Sequence, residues 1–276
     1  MKPELPLPSE ATVGTYERAF STLGCPDLGL GEACALARAH RISAIELRAL
    51  GGSLDLPSYF SGRGDSSASV SGAAAGVRIL AFGTSLRLAD GTDEDRRKFL
   101  EHVPWAEAIG VPRLRVFDGG SPSDGSSVDR AAEAAGWWRA LRAERGWRTD
   151  IMVETHDSLL TAADICRFAE AAPGTGILWD SHHTWRKGGE DPAQTWAAIG
   201  PHVVHIHVKD SIVGSVPGAP VRYVLPGTGD FPMAALRAAL AGNYSGPLSL
   251  EWEKRWHPEL ASIEEALRSA SANSWW

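Results

Sequence analysis

The chain has 276 residues, 43% of them hydrophobic, and a formal net charge of −7. That length can bury a full core, while an acidic balance with no local run of Lys or Arg argues against nucleic acid as a partner. Cys25, Cys34 and Cys166 are too widely spaced for a disulfide framework or a thiolate zinc site and suggest a reducing cytoplasm; residues 1–10 are too polar for a secretory leader, and no stretch of roughly 18 apolar residues offers a membrane span.

Short apolar or β-branched runs alternate with longer Ala/Leu/Arg-rich runs of helical period, the pattern of a parallel sheet with crossover helices. The first strand is expected at Arg18–Leu23, followed by a helix over Leu30–His40 with Leu30, Ala33, Cys34 and Ala37 on one inward face. The second strand, Ala44–Leu50, places Glu46 and Arg48 on the same side because alternate strand residues share a face. Gly51–Gly76 is rich in Gly, Ser and Ala and predicts a short helix and a mobile loop. A third strand over Arg78–Phe82 leads into Gly83-Thr84-Ser85, and a helix over Asp93–Ile109 opens with acidic residues suited to its dipole. The fourth strand is Arg113–Phe117. A helix over Val128–Arg145 then leads to the fifth strand, Ile151–Glu154, and a helix over Thr161–Ala171 to the sixth, Gly176–Asp180. A helix over Pro192–Ile199 precedes the seventh, Val203–Val208, and an insertion fills Asp210–Asp230. A helix over Met233–Ala241, an eighth strand over Leu248–Trp252 and a helix over Ser262–Ala270 complete the series. Eight such rounds predict a single α/β domain over residues 1–276: a (β/α)8 TIM barrel with a shortened second helix region and an inserted loop after the seventh strand.

Four of these strands end in residues that bind hard metal ions: Glu154, Asp180, His207 and Glu251, at intervals of 26, 27 and 44 residues. In a parallel barrel the carboxyl ends of all strands open on one face, so groups distant in sequence converge there. Three carboxylates and an imidazole suit one divalent ion, with Mn²⁺ the first expectation and Mg²⁺, Co²⁺ or Zn²⁺ the alternatives. His207 is preferred to His205 because it lies nearer the carboxyl end, and Glu251 to Glu253 because it lies within the apolar strand. Each feature alone has an ordinary explanation, since a lone acid after a strand usually caps a helix and a lone histidine is usually packed. Their joint arrival at one end of consecutive strands favours the metal reading.

With these residues in view, the chain resembles the xylose-isomerase-like TIM-barrel superfamily of sugar isomerases and epimerases, which includes the endonuclease IV group. The resemblance runs from Phe20-Ser-Thr-Leu-Gly through Ile45-Glu46-Leu-Arg48 to Leu250-Glu251-Trp, and is most specific at Asp180-x-x-His183 and His207-Val-Lys209-Asp210. It implies a metal site at Glu154, Asp180, His207 and Glu251 and a substrate contact at His183. The endonuclease branch carries further ligands before the Gly-x-Gly after the seventh strand, where this chain reads Val221-Arg222-Tyr223, so a single-metal site is expected. The ketose 3-epimerases carry an Arg where this chain has Val213.

The expected chemistry is a sugar or sugar-derivative isomerisation or epimerisation through a metal-stabilised enediolate, with Glu154 and Glu251 moving the proton. His183, His156, Arg48 and Lys209 are expected to contact substrate from the rim, with Glu46 either joining them or pairing with Arg48. Trp185 and Trp256, in loops, are candidates to face a carbohydrate or polyol, whereas Trp179 and Trp252 should pack against helices. A dehydratase acting on an inosose or dehydroshikimate would use the same ion and base. More distant readings are a DNA-directed phosphodiesterase and a non-catalytic subunit. Neither membrane nor nucleic acid is expected as a partner, and a homo-oligomer is left open.

Overall fold

Alternation along the strands sorts side chains into two sets. Ile151, Val153, Ile177 and Trp179 join the main apolar core, while their chain neighbours Met152 and Leu178 form a separate small cluster with Ala81. A second small cluster unites Ala19, Ala44 and Leu80. This is the partition of a closed barrel, with one residue parity packed under helices and the other filling the interior. A computed structural model describes residues 16–216 and 219–276 and has this form. The polar amino-terminal stretch read above lies outside the described residues, as do two residues of the insertion.

In chain order the elements are β1 (Glu17–Ser21), α1 (Leu30–Ala39), β2 (Ala44–Leu47), α2 (Leu56–Gly62), α3 (Ser67–Ala73), β3 (Arg78–Arg87), α4 (Asp93–Leu100), α5 (His102–Ile109) and β4 (Arg113–Phe117). They continue with α6 (Ser127–Arg145), β5 (Asp150–Glu154), α7 (Ala162–Ala171), β6 (Gly176–Asp180), α8 (Ser181–Arg186), α9 (Pro192–Ile199) and β7 (Val203–Val208). The last are β8 (Ser211–Val216), β9 (Ala219–Tyr223), α10 (Met233–Leu240), β10 (Pro247–Leu250) and α11 (Ile263–Ala272). The ring runs β1-β10-β7-β6-β5-β4-β3-β2, all pairs parallel, so this is the (β/α)8 barrel expected. No helix among the described residues is long and apolar enough to cross a membrane.

The sequence reading needs adjustment in four places. Gly51–Gly76 holds two seven-residue helices, because the Asp55 and Ser66 side chains accept N–H bonds from Ser58 and Ser69 and cap them. The helix expected over Asp93–Ile109 is divided into α4 and α5; Pro104, without an N–H, leaves the Leu100 carbonyl without its usual helical donor. The inserted loop contains an antiparallel hairpin, β8–β9, with Ser211 opposite Tyr223. Asp210 closes its base by accepting N–H bonds from Gly227, Gly229 and Phe231 at 2.9, 2.9 and 3.1 Å. Finally, α8 follows β6 directly, capped by Asp180, where only a loop was expected.

Candidate metal centre at the barrel mouth

Register brings the strand ends together. Asp180 on β6 is paired with His207 on β7, and His207 with Ser249 on β10, two residues before Glu251. Glu154, Asp180, His207 and Glu251 are all buried, and each offers one donor atom within 4.8 Å of the other three. The four residues named from spacing are therefore assembled at one point.

The surrounding contacts explain how each is held. Asp180 gives one oxygen to helix capping, accepting the His183 N–H at 2.8 Å on Oδ1, which turns Oδ2 toward the cluster. His207 donates Nε2–H to Glu46 Oε2 at 2.9 Å, so the ring turns Nδ1 toward Glu251 Oε1 at 3.4 Å and Glu154 Oε1 at 3.9 Å. A neutral imidazole presenting a lone pair to two carboxylates is repulsive unless a cation or a proton lies between them. Arg115 Nε stands 3.1 Å from Glu154 Oε2. Lys209 Nζ lies 2.5 Å from Glu251 Oε2, 2.7 Å from Glu253 Oε1 and 2.8 Å from Asp180 Oδ2.

These groups fit a divalent ion. His207 Nδ1 is buried without a well-formed hydrogen bond and faces Glu251 Oε1 and Glu154 Oε1, an arrangement that a cation held between them would satisfy. Charge leads to the same conclusion. The carboxylates of Glu46, Glu154, Asp180, Glu251 and Glu253 outnumber the permanent cations Arg48, Arg115 and Lys209 by two. Burial pushes the Glu154 and Asp180 carboxyls upward, toward the neutral form. Burial acts on Glu251 in the same sense, yet Lys209 and His207 outweigh it and hold that carboxyl well below the usual range. A dication would relieve the first two directly.

Of the other expected contacts, His183 and His156 line a cavity of about 90 Å³ at the mouth, together with Arg48, Glu154 and Glu251. The His156 ring lies between Phe117 and His183, at 4.7 and 4.9 Å. Three placements differ from the sequence reading. Lys209 does not reach out from the rim; it is 1% exposed because three carboxylates engage its ammonium. Glu46 is absent from the cavity wall and does not pair with Arg48; its carboxylate lies beneath, against His207 and, at 3.2 Å, His205. Trp185 packs on Phe231 and stacks with Arg186 at 3.9 Å, leaving Trp256 as the indole at the cavity. Trp179 stacks on Trp196 of α9, and the Trp252 indole donates to Ala261 O, both away from the mouth as expected.

Two site residues were missed. Glu253 lies in the loop after β10, as its position past the apolar run suggested, yet from there it lines the cavity and reaches Lys209. Arg115 was passed over because attention fell on the last residue of each strand; it shares its inward parity with Met152 and Gly83, its register partners. A further acidic group, Asp118 with His156 and Asp157, is of a different kind. The Asp118 oxygens accept N–H bonds from Gly119, Asp157, Ser158 and Leu159, so it anchors the loop after β5. A larger groove of about 690 Å³ beside the hairpin lacks any such ring of buried carboxylates.

Comparisons with known proteins accord with this geometry. Three solved structures of the same fold are similar over almost their whole length. The probable 3-DHS dehydratase AsbF, involved in petrobactin synthesis in Bacillus anthracis, has a TM-score of 0.70 and 17% identity, covering 93% of this chain and 99% of that one. The IolI protein, with a bound zinc atom, has a TM-score of 0.68 and 17% identity, covering 94% and 96%. The 3-keto-D-glucoside 4-epimerase YcjR from E. coli has a TM-score of 0.67 and 14% identity, covering 94% and 98%. A search of curated proteins finds no match. The family model of the xylose isomerase-like TIM barrel matches residues 35–272, and the chain belongs to that family.

Proposed function

We propose that this protein is a divalent-metal-dependent enzyme that isomerises or epimerises a small sugar or sugar derivative by moving a proton at a carbon beside a carbonyl. One observation carries the reading: four buried donor groups from four strands within 4.8 Å of one another, at the face where barrel enzymes place their chemistry. Glu154, Asp180, His207 and Glu251 would hold the ion, with Mn²⁺ or Zn²⁺ suited to this set. A bound ion would polarise the substrate carbonyl and stabilise developing negative charge by several kcal/mol.

The chain's own groups supply the rest. Glu154 and Glu251 come from the ends of strands that are not adjacent in the ring, β5 and β10, one beside Arg115 and one beside Lys209. One carboxylate removes the proton from carbon, and the other carboxyl returns a proton at the neighbouring carbon or on the opposite face. His183 is fixed by its Nδ1, which donates to Thr155 O at 3.0 Å, leaving Nε2 to meet a substrate oxygen. Phe117 and Trp256 wall the cavity and limit water.

A second outcome, loss of a β-hydroxyl as water, uses the same base, and the likeness to a probable dehydratase over 93% of the chain favours keeping it in the test. The metal-loaded protein, incubated with a ketose and inosose panel in deuterated water, should incorporate deuterium without losing water. A new enone absorbance would assign elimination, and absence of both exchange and elimination across the panel would overturn the reading.

A further inference from the structure

We propose that Arg48 and Arg115 form an anion subsite, and that the substrate is a small hydroxy- or oxo-carboxylic acid whose carboxylate docks on the two guanidinium groups. The reaction assigned to this substrate rests on the reading above; its recognition rests on separate residues.

Arg48 is 5% exposed and has no carboxylate within ion-pair distance among the described residues. Its hydrogen bonds are to neutral acceptors, Gly83 O at 3.4 Å and Ser85 Oγ at 3.0 Å. Buried guanidinium groups are normally matched by an anion, because an unmatched one destabilises the fold. Arg115, 4% exposed, has an anionic partner, but only on one side. Its Nε faces Glu154 and its Nη1 donates to Thr84 O at 2.9 Å, leaving Nη2 without a hydrogen bond among the described residues.

The two side chains are brought together by an absence of bulk. A Cβ on Gly83 would lie 2.7 Å from Arg48 Cδ and 3.0 Å from Arg115 Nη2, so both arginines run past this glycine. Their mutual repulsion, after burial, lowers Arg48 to about 9. Both line the same cavity as Glu154 and Glu251, so an anion bound there lies beside the carboxyls that move the proton.

Glu154 and Glu251 act on Arg48 only from beyond ion-pair distance, so a permanent anion on the substrate would supply the direct partner that a transient enediolate charge cannot give the resting protein. Planar carboxylates suit paired guanidinium forks, each oxygen accepting from one N–H of a fork.

The test uses full-length protein, metal-stripped and Mn²⁺-loaded, titrated calorimetrically with glycerate, glycerol and glycerol 3-phosphate. The metal-stripped protein should bind glycerate at least about tenfold more tightly than either alternative. Arg48→Gln should abolish that preference with glycerol binding unaltered. Equal binding of glycerate and glycerol, tighter binding of the phosphate, or a preference surviving in folded R48Q would each overturn the proposal. Should R48Q fail to fold, thermal shift of the wild-type chain decides: stabilisation by glycerate beyond glycerol supports the subsite, and its absence sinks it. Metal content is measured on the same samples. A chain that takes up no ion but still prefers glycerate refutes the proposed reaction and leaves the subsite standing.

Discussion

Strands β5, β6, β7 and β10 deliver Glu154, Asp180, His207 and Glu251 to one side of the mouth, whereas β2 and β4 deliver Arg48 and Arg115 to the other. The acidic side is crowded with like charges braced by Lys209, and its donors converge on one point. The basic side is held by neutral acceptors and by the space over Gly83, and among the described residues only Arg115 of its two cations has a carboxylate in direct contact. The difference separates two tasks. One wall holds more carboxylates than its own lysine balances, a deficit a dication would reduce, and the other holds an arginine, Arg48, with no carboxylate in direct contact among the described residues.

The sharpest way to break this comparison is at the acidic wall. Glu154→Gln and Glu251→Gln should each lose proton exchange by about 10²- to 10⁴-fold. Elemental analysis should find about one divalent ion per wild-type chain and much less in either variant. Retention of both ion and exchange in either variant would dissolve the distinction between the walls.

Glu46→Gln comes next. It stands outside the cavity, and its effect should pass through the His207 ring, which it orients by the 2.9 Å bond to Nε2. Ion affinity should fall by about 10- to 100-fold, read by competition with a chelating dye. Nitrogen NMR of the His207 ring should show its tautomer preference weakened.

Gly83→Val addresses the basic wall alone. Inserting side-chain atoms where a Cβ already approaches Arg48 Cδ to 2.7 Å should cost about 1–3 kcal/mol in a urea melt. Metal content should be unchanged, which separates the two sides by experiment.

The smallest effect concerns His102, whose pKa is held down first by burial and also by the charge of Arg48. A histidine with a folded pKa below its unfolded value of about 6.5 takes its proton preferentially in the unfolded chain. Its contribution is therefore intact above pH 6.5 and is lost as pH falls below that. Replacing it with Phe should reduce the slope of stability between pH 6.5 and 5 by at most about 1.4 kcal/mol per pH unit, measured by urea melts.

The acidic wall was legible in the sequence because its members stand at the ends of apolar strands, the first three at intervals of 26 and 27 residues and the fourth set back by the insertion, and the barrel converts such spacing into proximity. The basic wall was half legible. Arg48 shared a face with Glu46 on a recognisable strand, but Arg115 lies two residues before its strand's end, and nothing local distinguishes it from an ordinary strand arginine. Its partner, the Arg48 side chain, comes from a strand that is not adjacent in the ring: β3 lies between them, and Gly83 on β3 is what lets them meet. The burial of Lys209 was illegible for a related reason, since it requires Asp180 from the end of β6 together with Glu251 and Glu253 from the segment after β10. The small helix α8 could have been found from Asp180-Ser-His-His183, a capping pattern read instead as chemistry alone.

The bond between Glu46 and His207 joins residues 161 positions apart. Contacts of such separation are entropically late, because a long stretch of polymer must be confined before they reward it. The histidine most central to the acidic cluster is thus oriented only once β2 and β7, from distant parts of the ring, have been brought together, so a half-barrel fragment holding only one of them would lack the bond that sets its ring. An ion added during refolding should then accelerate nothing before ring closure, and should slow unfolding of the closed form.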